Sequence, residues 1–502
     1  MSLLGVEVGS KRCLVAAYAL DGARLAQAGR AYRPESKNPP ALEIDIQDVW
    51  QAVSDAARQV IAACGDDPVA AVAICATGDG IVALDPQGRP LGPCLLGVTG
   101  EHSLMREAEE ALGVQRFFEL TGRLPGHSDA LGLLCWLRHQ RPEVFQRAWR
   151  FVPLGVMVGA LLGGSTVCDY SQAGHAYPLS LTYRTWAREL LEACRLPRRA
   201  FPELMSAGTP IGSPTARATQ EWGLPRGARL VLGANDLACQ ALGAGVAQAG
   251  LALLEMGADL RVAPAFQAIP LTSLMLQQGL PIAHHVAPGL FLSAWEVAYG
   301  ERTLRWYRDN LAPLEKREAL RGGPGVYDLL LGEMPEEPTR LLALGSRTAG
   351  EIEEEGDGAA LLGVGHSTTR GEIIRAILEG LAYGVGEALS RCERAGLGVE
   401  TLRAAGGGAA SDRWLRLMAD VVGLPVERPR VMDTAPLGAA LLAGVGAGLY
   451  PSLAAAVDVA VHVTSRFEPD PARRDAYLRR AALADELRGP LRDALERLRD
   501  LP

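Results

Sequence analysis

Residues 231–245 read VLGANDLACQALGAG, and this stretch gives the most direct prediction of the fold. A mostly apolar run at 229–232 leads into Gly233-Ala234-Asn235-Asp236, after which a segment rich in alanine and leucine begins. This order is typical of a buried strand, a tight turn and a helix that starts just after the turn. Such a turn places Asn235 and Asp236 at the end of a strand, beside the free backbone N–H groups of the first helical turn.

Two roles are open for Asp236. A carboxylate at this position is well placed to act as a general base toward a bound hydroxyl that faces a phosphate. Alternatively, Asn235 or Asp236 only caps the helix, which is the commoner role of such residues. The stretch alone favours capping, so the decision depends on the rest of the chain.

Length and composition exclude several classes of protein. A chain of 502 residues is too long for a single core and indicates two large domains or three. The net charge of −8, with no dense Lys/Arg block, argues against nucleic acid and anionic membranes as partners. No apolar run approaches the roughly 18 residues of a membrane-spanning helix, and the start, MSLLGVEVGSKRC, lacks a signal-peptide pattern. We therefore expect a soluble, cytoplasmic protein.

The cysteines and histidines show no pattern of a disulfide framework or a metal site. The nine cysteines are dispersed in apolar stretches without a CxxC pair, which favours buried thiols in a reducing compartment. Among the eight histidines, His284 and His285 are adjacent. Neighbours along a chain do not face one ligand together, so we expect no histidine metal site.

The chain opens with a predicted hairpin that is repeated later. Residues 3–8 form an apolar strand, Gly9-Ser10-Lys11 a turn and residues 13–18 a second strand, followed by an extended stretch at 24–30. A small turn rich in N–H groups can cradle a phosphate, although many hairpins carry one. Residues 250–268 repeat this order, with Glu255 two positions before Gly257 as Glu7 is two before Gly9. The repeat predicts two similarly folded halves.

Between these segments, the pattern predicts further elements. It indicates a covering helix at 45–64, a loop-edge segment at 167–173, a turn-rich stretch at 210–228 and a helix over 295–310.

Landmarks along nearly the whole chain resemble the FGGY family of carbohydrate kinases, which includes xylulokinases, glycerol kinases and gluconokinases. Each landmark is modest alone, but all follow the family order. They are the hairpin at 5–13, the strand and turn at 72–85, VCDYSQA at 167–173, GLPRGARLVLGANDLACQALGAG at 223–245, ERTLRWYRD at 301–309, LGSRTAG at 344–350, RGEIIRAILEGLAYG at 370–384, GGGAASDRWLRLMADVVGLPV at 406–426 and APLGAALLAGVGAGLY at 435–450.

The resemblance implies an α/β fold of two ribonuclease-H-like domains, of the actin/hexokinase type, flanking a central cleft. It implies a sugar- and base-carrying domain at 1–246, a nucleotide-binding domain at 247–450 and a strand and helical tail at 451–502 that packs on them. ATP and Mg²⁺ are the implied cofactors. The sequence leaves the assembly open, with a homodimer as the candidate.

The resemblance also assigns roles to residues. Asp236 matches the family's general base, and this role outweighs capping, although one residue can serve both roles. The Gly406-Gly407-Gly408 run could otherwise be a plain turn, and Asn235, Thr77 and Asp79 could equally be caps and turn formers. The implied nucleotide-binding residues are Gly9, Ser10, Lys11, Gly257, Ala258, Asp259, Gly300, Gly406, Gly407, Gly408 and Ser411, and the implied substrate-binding residues are Thr77, Gly78, Asp79, Thr99, Glu101 and Asn235.

Two departures from the family concern the phosphates. The family's first strand carries an aspartate that holds Mg²⁺, usually through water, whereas this chain has Glu7, whose extra methylene moves the carboxylate by roughly an ångström. The second phosphate loop, Gly-Thr-Ser in the family, reads Gly257-Ala258-Asp259. The hydroxyls are lost, and an acid stands where it would repel phosphate unless a cation intervenes.

A third departure concerns the sugar. The family's strand-end Gln/His segment reads Thr77-Gly78-Asp79, and its Trp-x-Asp-x-Arg segment reads GVTGE at 97–101. Without that tryptophan and arginine, a neutral, xylulose-like ketose or a polyol is favoured over a phosphorylated or carboxylate substrate. We therefore expect an ATP-dependent sugar kinase. The alternative is a degenerate member that binds a sugar or nucleotide without phosphoryl transfer.

Overall fold

A computed structural model of the chain describes residues 1–35, 41–78, 80–98, 106–124, 130–257, 260–267, 272–297, 300–345 and 358–499. The strands in these ranges are β1 (Ser2–Val8), β2 (Arg12–Ala19), β3 (Arg24–Ala31), β4 (Ala41–Ile44), β5 (Val69–Ala76), β6 (Ile81–Leu84), β7 (Cys94–Val98), β8 (Arg150–Pro153), β9 (Val167–Asp169), β10 (Glu203–Met205), β11 (Pro210–Gly212), β12 (Arg229–Val231), β13 (Leu251–Met256), β14 (Leu260–Phe266), β15 (Ala283–His284), β16 (Phe291–Leu292), β17 (Trp295–Val297), β18 (Leu342–Gly345), β19 (Ala359–Leu362), β20 (Thr401–Ala405), β21 (Val426–Pro429) and β22 (Val463–Phe467). The helices are α1 (Ile46–Ala63), α2 (Arg106–Leu112), α3 (Val114–Thr121), α4 (Ala130–Gln140), α5 (Pro142–Arg147), α6 (Leu154–Leu162), α7 (Tyr170–Ala176), α8 (Arg188–Ala193), α9 (Ala216–Trp222), α10 (Asp236–Gly243), α11 (Thr272–Gln277), α12 (Gly300–Leu311), α13 (Pro313–Leu320), α14 (Val326–Gly332), α15 (Arg370–Arg394), α16 (Asp412–Val422), α17 (Thr434–Gly446), α18 (Leu453–Ala460) and α19 (Pro471–Arg499).

The chain divides into two compact mixed α/β units. Neither unit is a single continuous segment of the chain. Unit 1 comprises Met1–Ala249, Ala265–Leu292 and Asp433–His462, and unit 2 comprises Gly250–Pro264, Ser293–Met432 and Val463–Pro502. No described helix is both long enough and apolar enough to cross a lipid bilayer.

The main sheet of unit 1 is built on the opening meander. Its strand order is β11-β12-β5-β1-β2-β3, in which β1, β5 and β12 are parallel while β2 and β3 run antiparallel to their neighbours. The predicted strands at 3–8, 13–18 and 24–30 are thereby confirmed. Parallel strands end at the same edge of a sheet, so this order determines which residues can share a site.

Helix α1 covers one face of this sheet. It begins where the Asp45 side chain accepts a hydrogen bond from the Gln47 N–H, which satisfies one free donor of the first turn. Its apolar positions, among them Val49 and Val53, are fully buried in the same core as Val6 of β1. The predicted covering helix at 45–64 is confirmed, and its apolar stripe is what holds it to the sheet.

Unit 2 contains the second copy of the opening hairpin. Strands β13 and β14 pair antiparallel, and β20 pairs parallel with β13, as β5 does with β1. Helix α15 begins at a capping box in which Thr369 and Glu372 satisfy each other's backbone N–H groups. The terminal helix α19 is fastened by Tyr477, which is fully buried and accepts a hydrogen bond from Arg375 at 2.7 Å.

One local prediction was wrong, and two were right only in part. Residues 167–173 form β9 and the start of α7 rather than a loop edge, because Asp169 caps a helix that is too short to show periodicity. The predicted helix at 295–310 is confirmed over 300–310, which lie in α12, but residues 295–297 form β17, which pairs with β14. The turn-rich stretch at 210–228 contains α9, capped by Thr215.

The adjacent histidines of unit 1 give a prediction for the pH dependence of stability. The Nδ1 atom of His285 accepts a hydrogen bond from the Ala287 N–H at 2.7 Å, so protonation of that nitrogen would break the bond. Burial lowers the pKa of His285 to about 4, and burial lowers that of His284 to about 4 as well. Between about pH 6.5 and pH 4, the unfolded chain therefore binds protons that the folded chain does not, and the free energy of unfolding falls as pH falls.

We expect His285→Asn to weaken this acid sensitivity. Asparagine keeps an acceptor for the Ala287 N–H but does not titrate. Urea denaturation at pH 7, 6, 5 and 4.5 should show a shallower fall for the variant, by up to about 1.4 kcal/mol per pH unit. The exposed His462, changed to Asn, is the matched control and should keep the wild-type slope. Equal slopes for His285→Asn and wild type would contradict the prediction.

Candidate functional site

The carboxyl ends of three parallel strands bring the predicted base to a common edge of the unit 1 sheet. Ala76, the last residue of β5, pairs with Val8 on one side and forms a bridge with Asn235 on the other. The Thr77 N–H donates to the Val8 carbonyl at 3.2 Å. Thr77 and Asp236, which follow directly on their segments, therefore lie at this edge.

A close backbone approach allows this arrangement. A Cβ atom on Gly233 would stand 1.8 Å from the carbonyl oxygen of Ile74 in β5. Only a residue without a side chain lets the turn after β12 lie against β5 in this way. Gly233 is thus the reason that Asn235 can form its bridge with Ala76.

The helix cap and the predicted base are different residues. Asn235 is the N-cap of α10, and its Oδ1 atom accepts a hydrogen bond from the Leu237 N–H at 3.0 Å. Asp236 is the first helical residue, is half-buried and also accepts from Leu237, at 2.8 Å. Because Asn235 already caps the helix, the role of general base for Asp236 stays a prediction that capping does not replace.

A buried polar network holds this turn in place, and sequence reasoning missed it. The Asp169 carboxylate accepts from the Ser171 N–H at 2.8 Å and hydroxyl at 2.5 Å, and from the Gln172 side chain at 3.0 Å. The Ser171 hydroxyl in turn accepts from the Asn235 N–H at 2.9 Å. Burial raises the pKa of Asp169, although these hydrogen bonds oppose the shift. The first turn of α7 is therefore linked directly to the residue before Asp236.

Glu7 lies on the strand beside the same edge. It pairs across the sheet with Cys75 of β5. Burial raises the pKa of the Cys75 thiol well above its ordinary value, and neighbouring Cys239 and the charges of Glu7 and Asp236 add to the rise. The charges of both carboxylates therefore act on the same buried thiol.

The donor set at this edge fits a magnesium ion that keeps most of its water. Within the described ranges, no group of three or more His, Cys, Asp or Glu side chains is placed to hold a metal. Mg²⁺ is commonly held by one or two carboxylates together with water and substrate phosphates. The carboxylate of Glu7, one residue before the end of β1, is compatible with that mode.

The first predicted phosphate loop is a tight, supported turn. The Gly9 N–H donates to the Arg12 carbonyl at 2.9 Å, and the Tyr32 hydroxyl donates to the Gly9 carbonyl at 2.6 Å. The side chains of Ser10 and Lys11 are exposed. The turn itself is therefore anchored while its hydroxyl and ammonium groups are accessible to a ligand.

The predicted nucleotide residues of unit 2 meet in the same way at the ends of β13 and β20. Gly406 adopts a φ of +85°, and a Cβ on it would stand 2.8 Å from the Met256 carbonyl and 3.1 Å from the Gly257 nitrogen. A Cβ on Gly407 would meet nothing within 4 Å. The backbone there is thus bare on one side and packed against the second loop on the other.

Three other residues predicted to bind nucleotide lie at the start of a helix or in a turn. Ser411 caps α16 by accepting from the Trp414 N–H, and Gly300 is the first residue of α12. Gly408 follows Gly407 in a 3₁₀ turn, against the side chain of Met256. Asp79, Thr99, Glu101, Ala258 and Asp259 lie outside the described residues.

Solved structures define the class of fold. The chain is similar to a xylulose kinase from Rhodospirillum rubrum, with a TM-score of 0.84, 23% identity and coverage of 99% of this chain and 100% of that one. It is also similar to Plasmodium falciparum glycerol kinase with ADP, with a TM-score of 0.81, 15% identity and 97% coverage of both chains. The predicted α/β fold, with two domains of the actin/hexokinase type, is confirmed.

Sequence comparison then defines the family. The profile described as "FGGY family of carbohydrate kinases, N-terminal domain" matches residues 2–243, and the corresponding C-terminal domain matches residues 285–447. The chain therefore belongs to the FGGY family of carbohydrate kinases. An autoinducer-2 kinase of Klebsiella pneumoniae subsp. pneumoniae is 27% identical over 501 residues, covering 95% of this chain and 91% of the relative.

Proposed function

We propose that this chain transfers the γ-phosphoryl group of ATP to a hydroxyl of a neutral sugar, ketose or polyol, with Asp236 as the general base. The observation that carries the proposal is the strand register, which brings Thr77 and Asp236 to one edge of the sheet and pairs Glu7 with Cys75 one position before that edge. Family membership supports the same reaction class.

In the proposed reaction, Asp236 accepts the proton of the attacking sugar hydroxyl. The hydroxyl oxygen forms a bond to the γ-phosphorus, the bond from that phosphorus to the bridging oxygen of ADP breaks, and ADP leaves with the bond electrons. Phosphoryl transfer depends mainly on alignment and charge neutralisation, so one positioned base suffices. The network of Asp169, Ser171 and Asn235 supplies that positioning by holding the turn before Asp236.

The remaining residues would bind the second substrate and the metal. In unit 1, the Gly9–Lys11 turn would contact phosphate, and the N-terminal half would carry the sugar. In unit 2, the Gly257 and Gly406–Gly408 backbones would contact the nucleotide. Glu7 would hold Mg²⁺ through water. When bound, the ion would neutralise charge on the transferring phosphates.

The relatives suggest which substrates to test. Autoinducer-2 kinases are similar over nearly the whole chain, while xylulose and glycerol kinases share its fold. The sugar-facing segment lacks the family's arginine, which favours a neutral compound. Autoinducer-2 and D-xylulose are therefore the first candidates. A reducing cytoplasm, where ATP and free thiols coexist, is the proposed compartment.

A coupled ADP-release assay with Mg-ATP tests the proposal. The panel is autoinducer-2, D-xylulose, L-ribulose, glycerol, erythritol and gluconate, the last as a charged comparator. We expect turnover of a neutral member and little or none of gluconate. Silence across the panel, together with no thermal stabilisation by ATP with or without Mg²⁺, would contradict the proposal and favour a member that does not transfer phosphate.

A further inference from the structure

Helix α7 connects the proposed base to the predicted sugar segment after β5. At its start, Ser171 binds the Asn235 N–H. At its end, the fully buried Tyr177 donates from its hydroxyl to the Gly80 carbonyl at 3.2 Å. Both ends of this short helix are therefore fastened to the segments that the resemblance assigns to the base and to the sugar.

His175 lies on this helix directly against the sugar segment. A Cβ atom on Gly78 would stand 2.3 Å from Cδ2 and 2.8 Å from Cγ of the His175 ring. Real Cβ atoms are not found at such distances, so the imidazole occupies the space that any other residue at position 78 would fill. His175 itself is half-buried.

Other positions of α7 pack against a second group of side chains. A Cβ on Gly174 would stand 3.3 Å from the ring of His284, and the ring centroids of His284 and Tyr170 are 6.2 Å apart. The guanidinium of Arg184 lies 3.9 Å from the centre of the Tyr170 ring. The helix is thus held between this cluster and the strand end.

We propose that His175 is a substrate-contacting residue that determines sugar specificity, with its imidazole hydrogen-bonded to a hydroxyl of the sugar. The inference rests on the proposed function. The strand-end segment of this chain, Thr77-Gly78-Asp79, has no glutamine or histidine of its own, and Gly78 instead makes room for an imidazole delivered from α7. A neutral imidazole offers one donor and one acceptor, so one ring nitrogen can keep a protein contact while the other binds substrate.

The alternative is a purely structural role, in which His175 only fills space beside Gly78. The sugar-binding role and the structural role predict different effects of substitution on substrate affinity. If His175 binds the sugar, His175→Ala raises the KM for the sugar about fivefold or more and leaves the KM for ATP unchanged, since one hydrogen bond is lost. His175→Gln, which keeps a donor and an acceptor, recovers part of the loss. Gly78→Ala, which displaces the ring, resembles His175→Ala.

The experiment combines turnover with direct binding. Wild type, His175→Ala, His175→Gln, Gly78→Ala and the exposed control His462→Ala are assayed on the preferred panel sugar, and D-xylulose and autoinducer-2 are titrated by calorimetry without ATP. Circular dichroism and thermal unfolding verify that each variant is folded. His462→Ala should match wild type throughout.

Different results would contradict the role of His175 and the proposed phosphoryl transfer. Turnover by wild type with an unchanged sugar KM and affinity in a folded His175→Ala overturns the inference alone. Sugar binding that weakens in His175→Ala but no turnover by wild type supports the inference and overturns the proposed transfer. Neither binding nor turnover by wild type on the panel overturns both.

Discussion

Asp236→Asn is expected to lower kcat on the preferred sugar by about 10²–10⁴-fold, because an amide cannot accept the proton of the attacking hydroxyl. The substitution is nearly isosteric. The new side-chain oxygen can still accept from the Leu237 N–H, and Asn235 remains the cap of α10. The fold and the binding of both substrates should therefore survive.

The measurement is steady-state kinetics on purified variants, with thermal unfolding and nucleotide titration alongside. Asp48→Asn is the matched control, since Asp48 is an exposed carboxylate in the first turn of α1, in the same unit. A loss confined to kcat at position 236 supports proton abstraction by Asp236. Full activity of Asp236→Asn would remove the base from the proposal.

The elements that sequence reasoning found are those with a local cause. The turn at 233–236 follows from a glycine between an apolar run and an alanine-rich run, and α10 begins there at Asp236. The opening hairpin and its copy at 250–268 are short-range repeats of strand, glycine turn and strand. In such cases, neighbours along the chain determine the structure, so pattern alone is sufficient.

The parts that escaped prediction depend on contacts between distant residues. Ser171 and Asn235 are 64 positions apart, and nothing near either one indicates their hydrogen bond. Helix α7 has seven residues, which is too few for a helical period to emerge, so the pattern predicts a loop edge there. The contact of Gly78 with His175 likewise requires β5 and α7 to be placed first.

The resemblance supplied roles that geometry alone would leave open. The register shows that Asp236 and Thr77 share an edge, but a shared edge does not say which group moves a proton. Conversely, the structure assigns the N-cap of α10 to Asn235, a role that the sequence left open between Asn235 and Asp236. The resemblance therefore supplies the predicted role of Asp236, and the structure supplies its position after Asn235 at the sheet edge.

The second large effect is expected at the contact of α10 with α17, where Gly438→Ala should destabilise unit 1 by about 2–3 kcal/mol. A Cβ on Gly438 would stand 1.9 Å from the Cys239 carbonyl, and a Cβ on Gly243 would stand 2.0 Å from the Thr434 carbonyl. The two helices thus meet backbone to backbone through reciprocal glycines. The colliding atoms are backbone, which cannot rotate away as a flexible side chain would, so the helices must separate.

Gly159→Ala is the matched control for this prediction. Gly159 lies in helix α6 of the same unit, and a Cβ there would approach Ile74 Cδ1 only to 4.0 Å. Alanine favours the helix over glycine by up to about 1 kcal/mol, so the control should be neutral or stabilised. Urea and thermal unfolding compare the variants. Superimposable curves for Gly438→Ala and wild type would contradict the prediction.

The contact between α10 and α17 also affects the candidate site, because α10 begins at Asp236. A helix displaced by the new methyl group carries the carboxylate with it, and a shift near 1 Å at a reacting group can cost about 100-fold in rate. We therefore expect Gly438→Ala to have a lower kcat than wild type. The measurement is made well below the unfolding temperature of the variant, where it is still folded. Gly159→Ala, with α10 undisturbed, should keep the wild-type kcat. Loss of stability without loss of kcat would mean that the turn at 233–236, and not the helix contact, positions the base.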